Sequence, residues 1–279
     1  MMRKLIGALS AAVLLSVSTG AEDAQSPRIS VFAKFVRNTA KERGISLAEA
    51  ADRLYDIGVR GVDAGPGEKD LDALAATKLR IINFYFFPHM FDEAKCDEDI
   101  RFCLGQARKY AVPRVMVVPS SFTKDGDEEA EFEKDLAAMK KFVAAAKAQG
   151  IETTVEDFGG TANPCSHVKY LKRFLDEIPD LKFAADSGNL YYAGRGEDIL
   201  EMLAYARGRV GHVHLKDQSR EDNRRYVSLG LGAVPNERLV KEVNASGYCG
   251  WYTLENPVGD TLEDTVRQIS VLKSWLSGK

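Results

Sequence analysis

The sequence VGHVHLKD at residues 210–217 places two histidines and a lysine at alternate positions of a segment with the composition of a β-strand. Alternate residues of a strand point to the same face, so His212, His214 and Lys216 share one face and the apolar residues between them share the other. Imidazole binds metals and carries protons near neutral pH, and an ammonium group binds negative charge. We therefore expect this strand to contribute to a polar site that contains groups from other strands.

Three further predicted strands end in a carboxylate: IETTVEDF at Glu156, LKFAADSG at Asp186 and GWYTLEN at Glu255. With His214 they make a set of three carboxylates and one imidazole, which suits one divalent cation. An oxygen-rich set of ligands favours Mn²⁺ and accommodates Mg²⁺, Co²⁺ or Zn²⁺. Each residue also has a purely structural explanation, as a rim charge, a helix cap, a core histidine or a salt-bridge partner. Four such residues at successive strand ends favour a metal site, because buried carboxylates need a cation to offset their desolvation.

The elements that position these residues alternate between short apolar strands and longer amphipathic helices, eight times in succession. Such alternation predicts a parallel sheet, and eight units in roughly 250 residues is the number that closes a barrel. We predict a single (β/α)8 TIM barrel over residues 22–279. A doubly wound open sheet is the alternative, which the lack of a glycine-rich turn after the first strand disfavours. The first strand is predicted at residues 29–35, and Ser46 with Glu49 is predicted to open the first helix as a capping box.

The first 21 residues have the layout of a secretory signal peptide, with Arg3 and Lys4 before an apolar segment and small residues up to Ala21. The apolar segment is short for a membrane span, so we expect cleavage, export to the periplasm or medium, and no stable membrane association afterwards. Removal of the two basic residues takes the formal net charge from -3 to -5. An acidic protein without a basic stripe is not expected to bind nucleic acid.

The four cysteines do not have the spacing of a zinc knuckle. Cys96 and Cys103 flank the start of a predicted helix and are candidates for a disulfide in an oxidising compartment. Two buried free thiols are the alternative.

Four segments resemble the xylose-isomerase-like TIM-barrel superfamily, also called sugar phosphate isomerases/epimerases: VEDFGG, AADSGNL, HVHLKD and LENP. The similarity extends from about residue 29 to the C-terminus. The resemblance implies that Glu156, Asp186, His214 and Glu255 are the metal ligands found in the ketose 3-epimerase branch, in which the two glutamates also transfer the proton. It further implies that Arg220 helps to hold the substrate.

Four other residues are predicted to surround the substrate. Asn189 stands where many epimerases have a histidine, and it can hydrogen-bond to a substrate hydroxyl but cannot carry a proton. His89, in NFYFFPHM, is either a substrate contact at the mouth or a structural residue. Lys216 is a candidate substrate contact, with a solvated rim lysine as the alternative. His212 lies one layer deeper and is expected to support the metal ligand rather than bind the metal.

The expected reaction is metal-assisted removal of a proton next to the carbonyl of a keto-sugar, with an enediolate as intermediate, catalysed by an isomerase or epimerase. An eliminase acting on 3-keto-glycosides is the alternative that an exported location favours, and a non-catalytic periplasmic sugar-binding protein is the second. A metal-cluster DNA-repair endonuclease with the same barrel is disfavoured, because the chain has only four histidines and a negative charge. The expected partner is a small carbohydrate, and the sequence leaves open whether the protein forms a homodimer.

Overall fold

Eight parallel strands close into a barrel in the computed structural model, which describes residues 28–256, 258 and 261–277. The barrel order is β1, β2, β3, β4, β5, β6, β7 and β10, with β10 pairing with β7 and β1, and β8 and β9 forming a separate antiparallel pair. The strands are β1 Arg28–Phe32, β2 Gly61–Ala64, β3 Arg80–Phe86, β4 Arg114–Val117, β5 Glu152–Glu156, β6 Lys182–Asp186, β7 Val210–Leu215, β8 Asp217–Gln218, β9 Tyr226–Val227 and β10 Trp251–Leu254. The prediction of a (β/α)8 TIM barrel is confirmed, and the open sheet is excluded. The predicted signal peptide, residues 1–21, lies outside the described residues.

Helices connect the strands and cover the outside of the barrel. They are α1 Ala33–Arg43, α2 Leu47–Asp56, α3 Leu71–Ala75, α4 Glu93–Lys109, α5 Glu128–Lys147, α6 Val168–Glu177, α7 Asn189–Tyr192, α8 Asp198–Tyr205, α9 Asn236–Ala245 and α10 Leu262–Ser277. Within the part of the chain that the structure describes, none of these helices is long and apolar enough to cross a membrane.

The first βα unit differs from its prediction. The strand ends at Phe32 and α1 begins at Ala33 without a connecting loop, so the apolar residues assigned to the end of the strand form the buried face of a helix. That helix ends at Gly44, whose φ of 62° is a left-handed conformation that favours glycine. Ser46 and Glu49 do form the predicted capping box, with both reciprocal hydrogen bonds, but they open α2 rather than the first helix.

Of the two states considered for Cys96 and Cys103, the structure shows the two buried free thiols. The helix begins earlier than predicted, so both cysteines lie inside α4, on its buried face. Seven residues of α-helix separate their Cα atoms by about 10 Å along the axis, which is more than a disulfide can bridge.

The alternation along β7 sends its polar residues into the barrel. His212 contacts Asp63 of β2 and Arg114 of β4, two strands that do not neighbour β7, so its side chain crosses the barrel interior. Val213 and Leu215 are fully buried in the apolar core. One face of β7 therefore packs in the apolar core while the other supplies polar groups to the barrel interior, as the sequence predicts.

Candidate metal centre

The four residues predicted to bind a metal converge at the carboxyl-terminal mouth of the barrel. One ligand atom from each of them lies within 4.8 Å of every other, and the four residues are Glu156, Asp186, His214 and Glu255. Strand register explains the convergence: Asp186 is level with His214 on the neighbouring strand, and Glu255 follows the last residue of β10, on the other side of β7. We call these four residues the metal cluster.

His214 occupies the middle of the cluster and is buried. Its Nδ1 lies 2.6 Å from Glu156 Oε1 and 3.0 Å from Glu255 Oε2, and its Nε2 lies 3.0 Å from Asp63 Oδ2. Burial lowers the pKa of His214, but the facing carboxylates outweigh it and hold the pKa well above its usual value. Nδ1 is thus the nitrogen that faces the other ligands, and Nε2 is committed to Asp63.

Asp186 divides its two oxygens between structure and site. Oδ1 accepts the backbone N–H groups of Gly188 and Asn189, at 2.8 and 2.7 Å, which shapes the turn into α7. Oδ2 makes no hydrogen bond although it lies 3.0 Å from the Lys216 ammonium. Burial raises the pKa of Asp186 to about 8, against the lowering effect of Lys216. The structural explanation of Asp186 thus accounts for Oδ1, and Oδ2 is compatible with a ligand role.

Lys216 is buried inside the site and is not a solvated rim lysine. Its Nζ lies 2.9 Å from Glu255 Oε1 and 3.0 Å from Asp186 Oδ2, and it donates to Asn189 Oδ1 at 3.2 Å. Burial lowers the pKa of Lys216, but these carboxylates hold it well above its ordinary value. The lysine stays charged and neutralises part of the carboxylate charge. Gly188 leaves room for it, since a Cβ there would overlap Lys216 Cγ.

Asp63 is a candidate site residue to which the sequence analysis assigns no role. It is fully buried at β2, and its Oδ2 faces both His212 Nε2 at 2.7 Å and His214 Nε2 at 3.0 Å. Burial raises the pKa of Asp63, yet the two imidazoles lower it to a value below its usual range. An inward-facing carboxylate in the strand VRGVDAG was the available signal, but its partners are about 150 residues away along the chain.

The protonation of His212 follows from its neighbours. Nδ1 lies 3.2 Å from an Arg114 guanidinium nitrogen, and arginine has donors only, so Nδ1 accepts. The remaining proton is then on Nε2 and is donated to Asp63. Burial lowers the pKa of His212 to about 4, in agreement with a neutral ring. The structure thus places His212 beneath the metal cluster, in contact with the carboxylate that holds His214.

The other predicted substrate residues lie at different distances from the cluster. Asn189 is buried beside it, donating to the Asp157 carbonyl at 2.7 Å and accepting from Lys216. Arg220 is exposed, on the loop between β8 and β9. His89 is also exposed and pairs with Asp99 of α4 at 2.9 Å, which turns its ring toward a helix on the rim.

The cluster has the properties that a divalent cation requires. Asp186 Oδ2 and Glu255 Oε2 are buried oxygens without a hydrogen bond, each with one basic group at 3.0 Å, and both residues belong to the converging set. A cation held about 2.1 Å from each ligand would separate the ligands by up to roughly 4 Å, close to the spacing found here. Three carboxylates and one imidazole form a donor set that suits Mn²⁺ and Zn²⁺ alike. The residues present therefore fit a bound divalent cation.

The sequence of this chain matches a known family over most of its length. The family described as xylose isomerase-like TIM barrel matches residues 39–275. Among curated proteins, none has significant sequence similarity to the chain.

Solved structures share the barrel at low sequence identity. A D-tagatose 3-epimerase-like protein has a TM-score of 0.71 at 16% identity, over 90% of this chain and 97% of its own. The 3-keto-D-glucoside 4-epimerase of E. coli has a TM-score of 0.69 at 13% identity, over 89% of this chain and 100% of its own. The IOLI protein, solved with a bound zinc atom, has a TM-score of 0.71 at 13% identity, over 90% of this chain and 98% of its own. At these identities the likeness establishes the fold.

Proposed function

The chain belongs to the xylose isomerase-like TIM-barrel family, and on that premise we propose that it is a divalent-metal-dependent isomerase or epimerase of a keto-sugar. The observation that carries the proposal is the convergence of two buried carboxylates, one partly exposed carboxylate (Glu255) and one buried imidazole at the mouth of the barrel. Active sites of TIM barrels lie at this face. Burying so much negative charge destabilises a fold unless a cation is bound, so the cluster is better explained by function than by stability.

Glu156 and Glu255 are the proposed proton-transferring pair. Both carboxylates reach the same nitrogen, His214 Nδ1, at 2.6 and 3.0 Å, so they face one small volume from two sides. A sugar carbon held between them loses a proton to one carboxylate and receives it from the other, on the opposite face or at the neighbouring carbon. A divalent cation bound by the cluster supplies positive charge that stabilises the oxyanion formed when the proton leaves. Mn²⁺ is the proposed metal, with Mg²⁺, Co²⁺ or Zn²⁺ as alternatives.

Lys216 and Asn189 are proposed to bind the substrate. The Lys216 ammonium is buried and directed into the cluster by Glu255, so it can donate to a substrate oxygen without first shedding bulk water. Asn189 is held by its hydrogen bond to the Asp157 carbonyl, which leaves its oxygen facing Lys216. The exposed positions of Arg220 and His89 favour roles at the rim, where they meet only the part of a substrate that extends from the mouth.

Elimination from a 3-keto-glycoside is the second candidate, and the buried ammonium of Lys216 favours it. Removal of the proton between the ketone and the anomeric carbon forms a carbon–carbon double bond and breaks the bond to the glycosidic oxygen. That oxygen needs a proton as it departs, and Lys216, 2.9 Å from Glu255, is a charged donor beside the proposed base. The products are an unsaturated keto-sugar and the free alcohol.

The test combines the metal-loaded protein with free ketoses and with 3-keto-glucosides in D₂O. Deuterium entering the recovered sugar together with a new epimer or aldose supports the isomerase or epimerase. Release of the alcohol without an epimer supports elimination instead. Glu156→Gln should abolish both reactions with an unchanged circular dichroism spectrum, while Glu177→Gln, an exposed glutamate of α6, should retain full activity.

Full activity in Glu156→Gln would refute the assigned roles. Sugar binding without any exchange or release in the wild-type protein would favour the non-catalytic sugar-binding protein.

We also propose that the protein is exported and that its partner is a small carbohydrate rather than nucleic acid or a membrane. The support is the leader-like composition of residues 1–21 and the formal net charge of -3 for the whole chain. Recovery of a product that begins near residue 22 from the periplasm or medium tests export, and cytoplasmic full-length protein would contradict it. A homodimer is to be tested by light scattering.

A further inference from the structure

Four aromatic rings lie on loops at the face of the barrel that carries the metal cluster, and we call them the aromatic arc. Phe87 follows β3, Phe158 follows β5, Tyr192 ends α7, and Tyr226 begins β9. Each of these positions follows the carboxyl end of a barrel strand, so the four rings come from loops of one face, the face that carries the cluster.

The arc is continuous. The rings of Phe87 and Phe158 meet edge to face, with centroids 6.1 Å apart. A methyl group on Gly159 would lie 3.4 Å from Tyr192 Cδ1, so the Tyr192 ring packs against the backbone next to Phe158. The rings of Tyr192 and Tyr226 are stacked within 10° of parallel, with centroids 6.3 Å apart. With these two spacings the arc is longer than a single hexose ring.

The aromatic arc lies close to the metal cluster. Phe158 is two residues beyond Glu156 on the same chain segment. Gly159, the next residue, lies beside Asn189, since a methyl group on Gly159 would lie 3.5 Å from Asn189 Oδ1. A molecule whose reacting carbon lies between the two glutamates therefore extends toward the arc.

The arc is open to a ligand. Phe87 is 54% exposed and Tyr192 is 36% exposed, although both are large apolar rings. Aromatic faces bind other rings by stacking and by contacts with apolar C–H faces. Among the described residues, the exposed ring of Phe102, on α4, lines one cavity with Phe87, whereas the exposed ring of Tyr205 lies on the barrel helix α8.

We propose that the aromatic arc binds the aglycone ring of a glycoside whose keto-sugar occupies the metal cluster. The inference rests on the proposed function and specifies its substrate class, which is glycosides with an apolar-faced ring, aromatic or glycosyl, rather than free monosaccharides. The keto-sugar is held by the polar groups of the cluster, and the second ring stacks on the arc.

The experiment measures binding with sugars that lack a ketone and cannot react. Methyl β-D-glucoside, phenyl β-D-glucoside and cellobiose are each titrated calorimetrically into the metal-loaded wild-type protein. Methyl glucoside has the glycosidic oxygen without a second ring, so the comparison isolates the ring. We expect about tenfold tighter binding of a two-ring ligand, because a ring contact of this kind contributes on the order of 1 kcal/mol or more. Preference for phenyl glucoside identifies an aromatic aglycone, and preference for cellobiose a sugar.

Phe87→Ala and Tyr192→Ala should each reduce that advantage at least threefold and leave the affinity for methyl glucoside unchanged. Tyr205→Ala removes a ring on α8 whose exposure, 43%, lies between those of Phe87 and Tyr192, and it should change neither affinity. Equal affinities for one-ring and two-ring ligands, or an equal loss in Tyr205→Ala, would overturn the proposal. No proton transfer is measured, so failure of this proposal is distinguishable from failure of the proposed function, which the exchange experiment tests.

Discussion

Replacing Asp63 by asparagine tests whether this residue positions His214, a proposed metal ligand. The substitution keeps the size of the side chain and removes its charge. The amide oxygen can still accept from His212 and His214, and the amide nitrogen then faces Thr253 Oγ1, which lies 3.3 Å from Asp63 Oδ1. The variant therefore keeps the acceptor for both histidines without its charge, and reverses the direction of the hydrogen bond with Thr253. It should not leave a cavity.

The magnitude follows from the hydrogen bond between His214 Nε2 and Asp63 Oδ2, which is 3.0 Å long and fully buried. A hydrogen bond to a charged group contributes about 1.5–3 kcal/mol and a neutral one about 0.5–1.5 kcal/mol, so the variant loses roughly 1–2 kcal/mol. Because 1.4 kcal/mol corresponds to a factor of ten, metal affinity should fall by about 5- to 30-fold. That range agrees with the usual effect of residues that orient a metal-binding histidine.

The assay is calorimetric titration of the metal-stripped protein with Mn²⁺, accompanied by a thermal melt. Asp99→Asn is the matched control, because Asp99 faces the ring of His89 at 2.9 Å in the same kind of pair, on the exposed rim. The control should bind Mn²⁺ like the wild type. If folded Asp63→Asn binds Mn²⁺ within twofold of the wild type, Asp63 does not position His214 for the metal.

Three further outcomes follow from the structure. Lys216→Met should lower turnover at least tenfold while Mn²⁺ binds no more weakly in a titration, because the variant removes a competing positive charge 2.9 Å from Glu255; unchanged turnover would contradict the substrate role. Burial raises the pKa of Asp135 to about 8, so the folded protein holds a proton that the unfolded chain releases near pH 4. The resulting stability is complete below about pH 4 and is lost as the pH rises through about 8, so Asp135→Asn should flatten the fall of Tm over this interval, and parallel melting curves would contradict it. A thiol reagent should modify one cysteine, Cys249, in the native protein and all four in denaturant. If the denatured protein gained two further reactive thiols only after reduction, a disulfide would be indicated instead.

The sequence predicts the barrel because its signals are local. Eight alternations of strand and helix, the alternating faces of VGHVHLKD and the capping box at Ser46 each depend on residues within a few positions of one another. The junction at Phe32 and Ala33 was not predictable in the same way, since apolar residues fit the end of a strand and the buried face of α1 equally well. The extent of α4 was misjudged for a related reason, and with it the geometry of the two cysteines.

The candidate site likewise contains residues that local sequence signals predict and one residue that they do not. In a parallel barrel the carboxyl ends of all strands meet at one face, so the four candidate ligands could be predicted from the sequence. The role of Asp63 did not, because its contacts with His212 and His214 cross the barrel between segments about 150 residues apart.

The amino-acid sequence by itself determined which chemical groups this protein possesses, which strand carries each of them, and which face of the strand each occupies. Only the tertiary structure decided how those groups use their atoms: Nδ1 of His214 faces the cluster, Oδ2 of Asp186 has no hydrogen bond, and Lys216 is buried among carboxylates. Closure of the barrel also aligned four aromatic loops beside the cluster. The physical reason is that strand and helix periods repeat within a few residues, whereas contacts across the barrel depend on the register and packing of the whole chain.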